Sequence, residues 1–229
     1  MGPCDLIFDA DDTLWEETLF FVRATDAFVD YLDHPTLSPD EVRRILDDIE
    51  RDNSAAHGYG AAVFEQSLVE CLERLRPEAP VTDADREVLR SFREIITDRR
   101  LELIAGVEET LHALVGRHRL FLLTKGHEGM QRRKIEESGL APLFAGIGIV
   151  PEKDRRAYDD FAAAEGLDRA ATWMIGNSPK SDILPALKAG MGAVFVPHPM
   201  TWTLEQDELP ANHDRFHTVS PIGRLTEIF

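Results

Sequence analysis

Apolar positions along this chain follow two different rhythms. Leu6, Ile7 and Phe8 form an uninterrupted run, as a parallel strand covered on both faces requires, and predict a strand over 4–8. From 16 to 100 the spacing is helical and no convincing strand occurs. Leu19, Phe20 and Val22 lead into Phe28, Val29 and Leu32. A second helix is predicted over 41–49, with Ser38 or Asp40 as its start signal and Pro39 in its first turn. A third covers 61–75, with Val63, Phe64, Leu68, Val69, Leu72 and Leu75 on one stripe. Pro77 and Pro80 break the chain before a fourth helix over about 83–97.

From Leu103 onward strands and helices alternate. Short apolar strands are predicted over 120–123, 147–150, 172–175 and 193–196. Helices are predicted over 106–115, 128–138 and 155–165, with a short one ending at Gly190. Such alternation implies a parallel sheet with helices on both faces. The expected fold class is α/β: a Rossmann-like, three-layer α/β/α core formed by 1–15 and 101–229, with an inserted all-helical cap over 16–100.

Composition narrows the function. The 229 residues carry a formal net charge of −17, which argues against a nucleic-acid polymer and against an acidic membrane surface as partner. Apolar runs are only a few residues long, too short to span a bilayer. No basic stretch followed by a long apolar one suggests a signal peptide, and Leu6 stands where a myristoylation signal wants Ser or Thr. Cys4 and Cys71 are the two cysteines, expected to be reduced, packed thiols. A cytoplasmic enzyme, monomeric or homodimeric, is the resulting expectation.

The strand ends carry the chemistry. In open α/β sheets ligands bind beyond the carboxyl ends of the strands. Asp9, Asp11, Asp12 and Thr13 follow the first strand; Thr124 and Lys125 the second; Lys153 the third; Asn177, Ser178 and Asp182 the fourth. Close carboxylates repel and need a counter-charge, and Mg²⁺ supplies one through a few carboxylates plus water and phosphate. A carboxylate is also a competent nucleophile towards phosphorus. A hydroxyl, backbone N–H groups and a lysine would hold the phosphoryl oxygens.

At these residues the sequence resembles the haloacid dehalogenase superfamily, and within it the phosphatase branch. "FDADDT" resembles the first motif, "LFLLTKG" the second, Lys153 the third and "MIGNSPKSDILPALKAGM" the fourth. Four motifs in order, each after a predicted strand, are a specific match. The resemblance implies a Mg²⁺-dependent phosphomonoesterase that cleaves a small phosphate ester, such as a nucleotide or sugar phosphate, through an aspartyl-phosphate. It implies Asp9 as nucleophile, and Asp11 as the acid for the leaving group and then the base for water. Thr124, Lys125 and Lys153 are the phosphate candidates, with Lys125 the weakest of them. Asp9, the Asp11 backbone carbonyl, Asn177 and Asp182 are the metal candidates. The family's phosphatases usually carry Asp where Asn177 stands, and its dehalogenase branch tends to carry Asn. The dehalogenase branch, however, usually lacks an aspartate at the place of Asp11. A hydrolytic 2-haloacid dehalogenase is therefore the alternative, and a non-catalytic binder of a phosphorylated ligand or partner protein the third reading.

Other readings stay open beside these. Asp182 contacts the metal or caps a helix begun near Pro185. Gly58 and Gly60 bracket Tyr59, so "AAHGYGAAVF" is either a helix connection or a specificity loop in which His57 and Tyr59 read the leaving group. Asp12 reads as loop or capping chemistry. Arg132, Arg133 and Lys134 read as an exposed helix face, and His198 as a histidine without a metal partner.

Overall fold

A computed structural model describes residues 2–229. Glu17–Arg100 forms one compact unit, and the described residues on either side of it form the other. The second unit is built on six parallel strands: β1 (Asp5–Phe8), β2 (Arg119–Lys125), β3 (Gly146–Val150), β4 (Thr172–Gly176), β5 (Gly192–Phe195) and β6 (Phe216–Thr218), in the order β3-β2-β1-β4-β5-β6. Strand β1 is central, with Phe8 opposite Leu122 on one side and Ile175 on the other. The α/β, Rossmann-like class read from the sequence is therefore the observed one.

The alternation of side chains along the strands divides the core in two. Leu6, Phe8, Leu120, Leu122, Ile175 and Val194 point to one face and pack with Val107, Leu111 and Leu114 of α5 (Val107–Val115) and Ile135 of α6 (Glu128–Ser138). Ile7, Phe121, Leu123 and Met174 point to the other. They pack with Tyr158, Phe161 and Ala162 of α7 (Arg155–Glu165) and Ala186 of α8 (Leu184–Lys188). Both faces are covered by apolar side chains, as the apolar runs demand.

The Glu17–Arg100 unit contains α1 (Thr18–Leu32), α2 (Pro39–His57), α3 (Ala61–Leu75) and α4 (Asp83–Thr97). Helix α2 starts where the sequence signals it, on a capping box between Ser38 and Glu41 with Pro39 in its first turn. It runs eight residues past the predicted end at Ile49, through a polar stretch, because Asn53 buries its amide against Ser67 (3.1 Å) and Glu70 (3.1 Å) of α3. Helix α4 starts on a second box, Thr82 with Asp85. Asp85 is buried and accepts from Thr82 N (2.8 Å), the Thr82 hydroxyl, Tyr31 OH (2.6 Å) and the Arg76 guanidinium. These donors hold its carboxyl well below the usual carboxylate range, the Thr82 hydroxyl first, then Tyr31 and Arg76. Among the described residues no helix is long and apolar enough to cross a membrane, and Cys4 and Cys71 are buried free thiols.

Candidate active site

The crevice lies where β1 and β4 stand side by side and their onward connections leave in opposite directions, β1 towards β2 and β4 towards β5. The Asp9 amide donates to Ile175 O (2.9 Å), so the first residue beyond β1 is still held by β4. Asp9 is buried, and its Oδ2 accepts from the Thr13 hydroxyl (3.0 Å). The same hydroxyl lies 3.3 Å from Asn177 Oδ1. Thr13 thus ties the ends of β1 and β4 together.

Lys153, from the loop after β3, has its side chain 2% exposed. Its ammonium lies 2.5 Å from Asp9 Oδ1, 2.5 Å from Asp182 Oδ1 and 3.3 Å from the Leu123 carbonyl. Burial disfavours its charge, but Asp182 and Asp9 outweigh that and hold it protonated well above the ordinary lysine value. Two carboxylates share this one ammonium. Burial, and then repulsion from Asp9, push the Asp182 carboxyl up to about 7, against the pull of Lys153 and of the Ser178 amide. The core comes this close to Asp182 only because residue 176 is glycine: a Cβ there would lie 2.2 Å from Asp182 Oδ2.

Asp182 does not cap a helix. Ser178 does: its hydroxyl accepts from Ser181 N (2.9 Å) at the start of a π-helical turn, Pro179–Ile183, that leads into α8. The Asp182 carboxylate instead turns back to accept from Ser178 N (2.9 Å). Such turns are rare and cluster at functional sites.

Asp11 occupies a separate corner. Its carboxylate accepts from Trp15 Nε1 (2.7 Å), Gln131 Nε2 (2.9 Å) and Lys134 Nζ (2.6 Å). Burial would raise its proton affinity, but the charge and hydrogen bond of Lys134, with Gln131 and Trp15, bring the carboxyl below its ordinary value. Gln131 Nε2 is also 3.0 Å from the Thr124 hydroxyl and 2.7 Å from the Lys125 carbonyl. Lys134 is therefore not part of an exposed face with Arg132 and Arg133: its side chain is 14% exposed against 63% and 60% for those two. Gln131 and Lys134 are three apart on α6 and share a face. That spacing was the one sequence signal for them.

Lys125 points elsewhere. Its ammonium meets Glu205 Oε1 (2.5 Å), the Ser181 hydroxyl (3.0 Å) and Glu152 Oε1 (3.3 Å). Glu205 carried no motif and was missed from sequence. His198 was read as having no metal partner, yet its ligand atoms lie with those of Asp12 and Glu16 within 4.8 Å of one another. Its ring is occupied on both sides: Nδ1 accepts from Met200 N (3.3 Å), so Nε2 carries the proton and donates to Glu16 Oε2 (3.0 Å). That arrangement is a clamp between the chain after β5 and the chain after β1. His57 is the last residue of α2 and Tyr59 stands in the three-residue connection to α3, between Gly58 at φ +81° and Gly60 at φ +133°.

The donor chemistry around Asp9 fits a hard divalent cation. Asp9, Asp182 and the Asn177 amide offer oxygen donors, with no sulfur or imidazole among them. Lys153 offers these two carboxylates a single ammonium.

Comparison with known proteins identifies the family. Over 99 residues the chain is 27% identical to the pyrimidine 5'-nucleotidase YjjG of Escherichia coli (strain K12), a stretch that covers 41% of this chain and only 44% of that relative. A haloacid dehalogenase-like family hydrolase from Xanthomonas campestris superposes with a TM-score of 0.81 at 26% identity, over 99% of this chain and 96% of that one. A 2-haloacid dehalogenase from Pseudomonas syringae pv. Tomato DC3000 shares the fold at a TM-score of 0.62 and 21% identity, over 100% and 98% of the two chains. The family profile described as "Hydrolase: haloacid dehalogenase-like hydrolase" matches residues 6–190. The chain belongs to the haloacid dehalogenase-like hydrolases.

Proposed function

We propose that this hydrolase is a magnesium-dependent phosphomonoesterase that cleaves a small phosphate ester, a nucleotide or sugar phosphate, in the cytoplasm. The observation that carries the reading is the placement of a second carboxylate beside the phosphate-binding hydroxyl. One amide nitrogen, Gln131 Nε2, is within 3.0 Å of both Asp11 and Thr124. Phosphoryl transfer to a carboxylate needs an acid for the leaving oxygen and a base for water. Displacement of a halide needs no acid. The nucleotidase relative, similar over 99 residues, supports the same substrate class.

In this reading Asp9 attacks phosphorus and the ester oxygen departs with a proton from Asp11. Water then attacks the phosphorus of the aspartyl-phosphate while Asp11 takes its proton, which releases phosphate and restores Asp9. Lys153 and Thr124 hold the phosphoryl oxygens. Asp11 is ionised against Lys134 in the free protein and takes up a proton from solvent as the ester binds. A phosphate dianion arriving beside it raises its proton affinity, which is what the acid role requires. Asp9, the Asp11 backbone carbonyl, Asn177 and Asp182 would hold magnesium, which would supply charge neutralisation there. Lys125 is left with Glu205 and plays no part in phosphate binding. His57 and Tyr59 set substrate preference.

Asn177 favours the second reading, hydrolysis of a 2-haloacid, since it removes a formal charge from the cation site. Activity decides between them. A panel of phosphate esters with Mg²⁺ should yield phosphate, and Asp11→Asn should slow sugar phosphates by about 10²–10⁴-fold while slowing p-nitrophenyl phosphate less. An equal loss on both esters would remove the acid role from Asp11. Metal-independent halide release from a 2-haloacid would replace the phosphatase reading.

A further inference from the structure

The segment that carries Asn177 and Asp182 is braced by a residue outside the family match, which ends at 190. Glu205 sits in a short 3₁₀ turn, Thr203–Glu205, and is 8% exposed. Its Oε2 accepts from the Ser178 hydroxyl (2.7 Å) and the Ser181 hydroxyl (2.5 Å), and its Oε1 from Lys125 (2.5 Å). A buried carboxylate with three donors, one of them charged, is a fixed point rather than a surface ornament.

The geometry points to Glu205 as a positioning residue for the candidate site, one that sets the shape of the segment carrying Asn177 and Asp182. The inference rests on the reading of those two side chains as site residues. The physical link runs through Ser178. Because the Ser178 hydroxyl donates its one proton to Glu205, its lone pairs face the other way and accept Ser181 N (2.9 Å). That bond, with Asp182 N and Ile183 N both donating to Ser178 O (2.9 and 3.1 Å), winds the π-helical turn. The turn in turn brings the Asp182 carboxylate back onto Ser178 N and against Lys153. The second link runs through Lys125, whose ammonium spans Glu205, Ser181 and Glu152 and ties the end of β2 to the same segment. Tyr158 adds a third anchor by donating to Ser181 O (2.8 Å). With Glu205 ionised, the Lys125 charge is neutralised within the brace and is not offered to an incoming phosphate.

Glu205→Gln keeps the size of the side chain but puts an N–H donor where one of three donors now ends. Hydrogen–deuterium exchange on the full chain should then show the amides of Ser181, Asp182 and Ile183 exchanging about tenfold faster or more, with α5 amides unchanged. Glu205→Asp should recover part of the protection, and Lys125→Met, which removes the charged donor alone, should lose an intermediate amount. Titration calorimetry with Mg²⁺ should show weaker binding in Glu205→Gln than in the parent protein. Wild-type exchange in 177–183 of the folded variant would overturn the inference, as would faster exchange spread evenly through the core. If the parent protein binds no Mg²⁺, the phosphatase reading fails, and the exchange data still decide the role of Glu205.

Discussion

Asp182 and Asp85 are both buried carboxylates, one beside the crevice and one in the helical unit, and their proton affinities are displaced in opposite directions. Asp85 has four donors and no carboxylate competing for them, and its carboxyl is held low. Asp182 has the Ser178 amide and a lysine that it shares with Asp9, and its carboxyl rises to about 7. Burial alone does not explain the difference. The helical unit spends its donors on a single acid and fixes the start of α4. The crevice crowds two acids on one ammonium, a cost to folding that the proposed function would account for through the binding of a cation and the attack of a nucleophile.

The comparison can be sharpened by removing each carboxylate in turn. Asp9→Asn should reduce turnover on any substrate by on the order of 10⁴-fold or more, since an amide cannot attack phosphorus. Asp85→Asn should leave the turnover of folded protein near the parent level. A purified Asp9→Asn protein with near-parental phosphate release would remove the nucleophile from its position.

Lys153→Met should show the tension in the crevice as lost stability. Without the ammonium two buried carboxylates face each other, at a cost of about 3–5 kcal/mol by urea denaturation in chelator. Asp182→Asn in the same background should recover part of it. No recovery would mean that Asp9 and Asp182 do not repel across the site.

The pH dependence should differ in sign. The folded Asp85 carboxyl lies below its unfolded value, so its contribution is present above about pH 4 and is lost as pH falls through and below that value. The melting temperature gap between parent and Asp85→Asn should therefore be widest near neutrality and close under acid. Asp182 in chelator is the reverse. Its folded value near 7 exceeds the unfolded one, so the parent loses stability between about pH 4 and that value as pH rises. Difference curves with the same slope for the two variants would break the comparison.

The smallest effect belongs to Asn177. Asn177→Asp places an anionic oxygen where a neutral one now stands, and should tighten Mg²⁺ binding a few-fold, less whatever Asp9 and Asp182 oppose. An unchanged affinity in calorimetry would place residue 177 outside the contact shell of the cation.

Much of this arrangement is legible from residue order. The strands announce themselves as apolar runs. Ser38 with Glu41 marks the start of one helix, and α3, α6 and α7 fall within the predicted bounds. The strand-end residues from Asp9 to Asp182 are visible because the sheet delivers them to one edge. What the sequence hides are partners brought from far away without a motif. Lys134 is 123 residues from Asp11, Glu205 is 80 from Lys125, and His198 is 182 from Glu16. Lys134 looked exposed because its neighbours Arg132 and Arg133 are, yet one further step around the helix turns it inward. Strand β6 has only three residues and no apolar run to reveal it. The π-helical turn has no propensity signature, since it follows from how Ser178 and Asp182 bond to each other.

The central claim, that the reaction at Asp9 is phosphoryl transfer with water attacking phosphorus and not displacement of halide through a carboxyl ester, is tested most directly by isotope placement. A single turnover of a phosphate ester in H₂¹⁸O, with enzyme in excess, should put the heavy oxygen into inorganic phosphate and leave the Asp9 peptide at its normal mass, because water attacks phosphorus. An alkyl ester intermediate is opened at the carboxyl carbon. Heavy oxygen in the Asp9 carboxylate after a turnover of a 2-haloacid, with no phosphate released from any ester, would contradict the account.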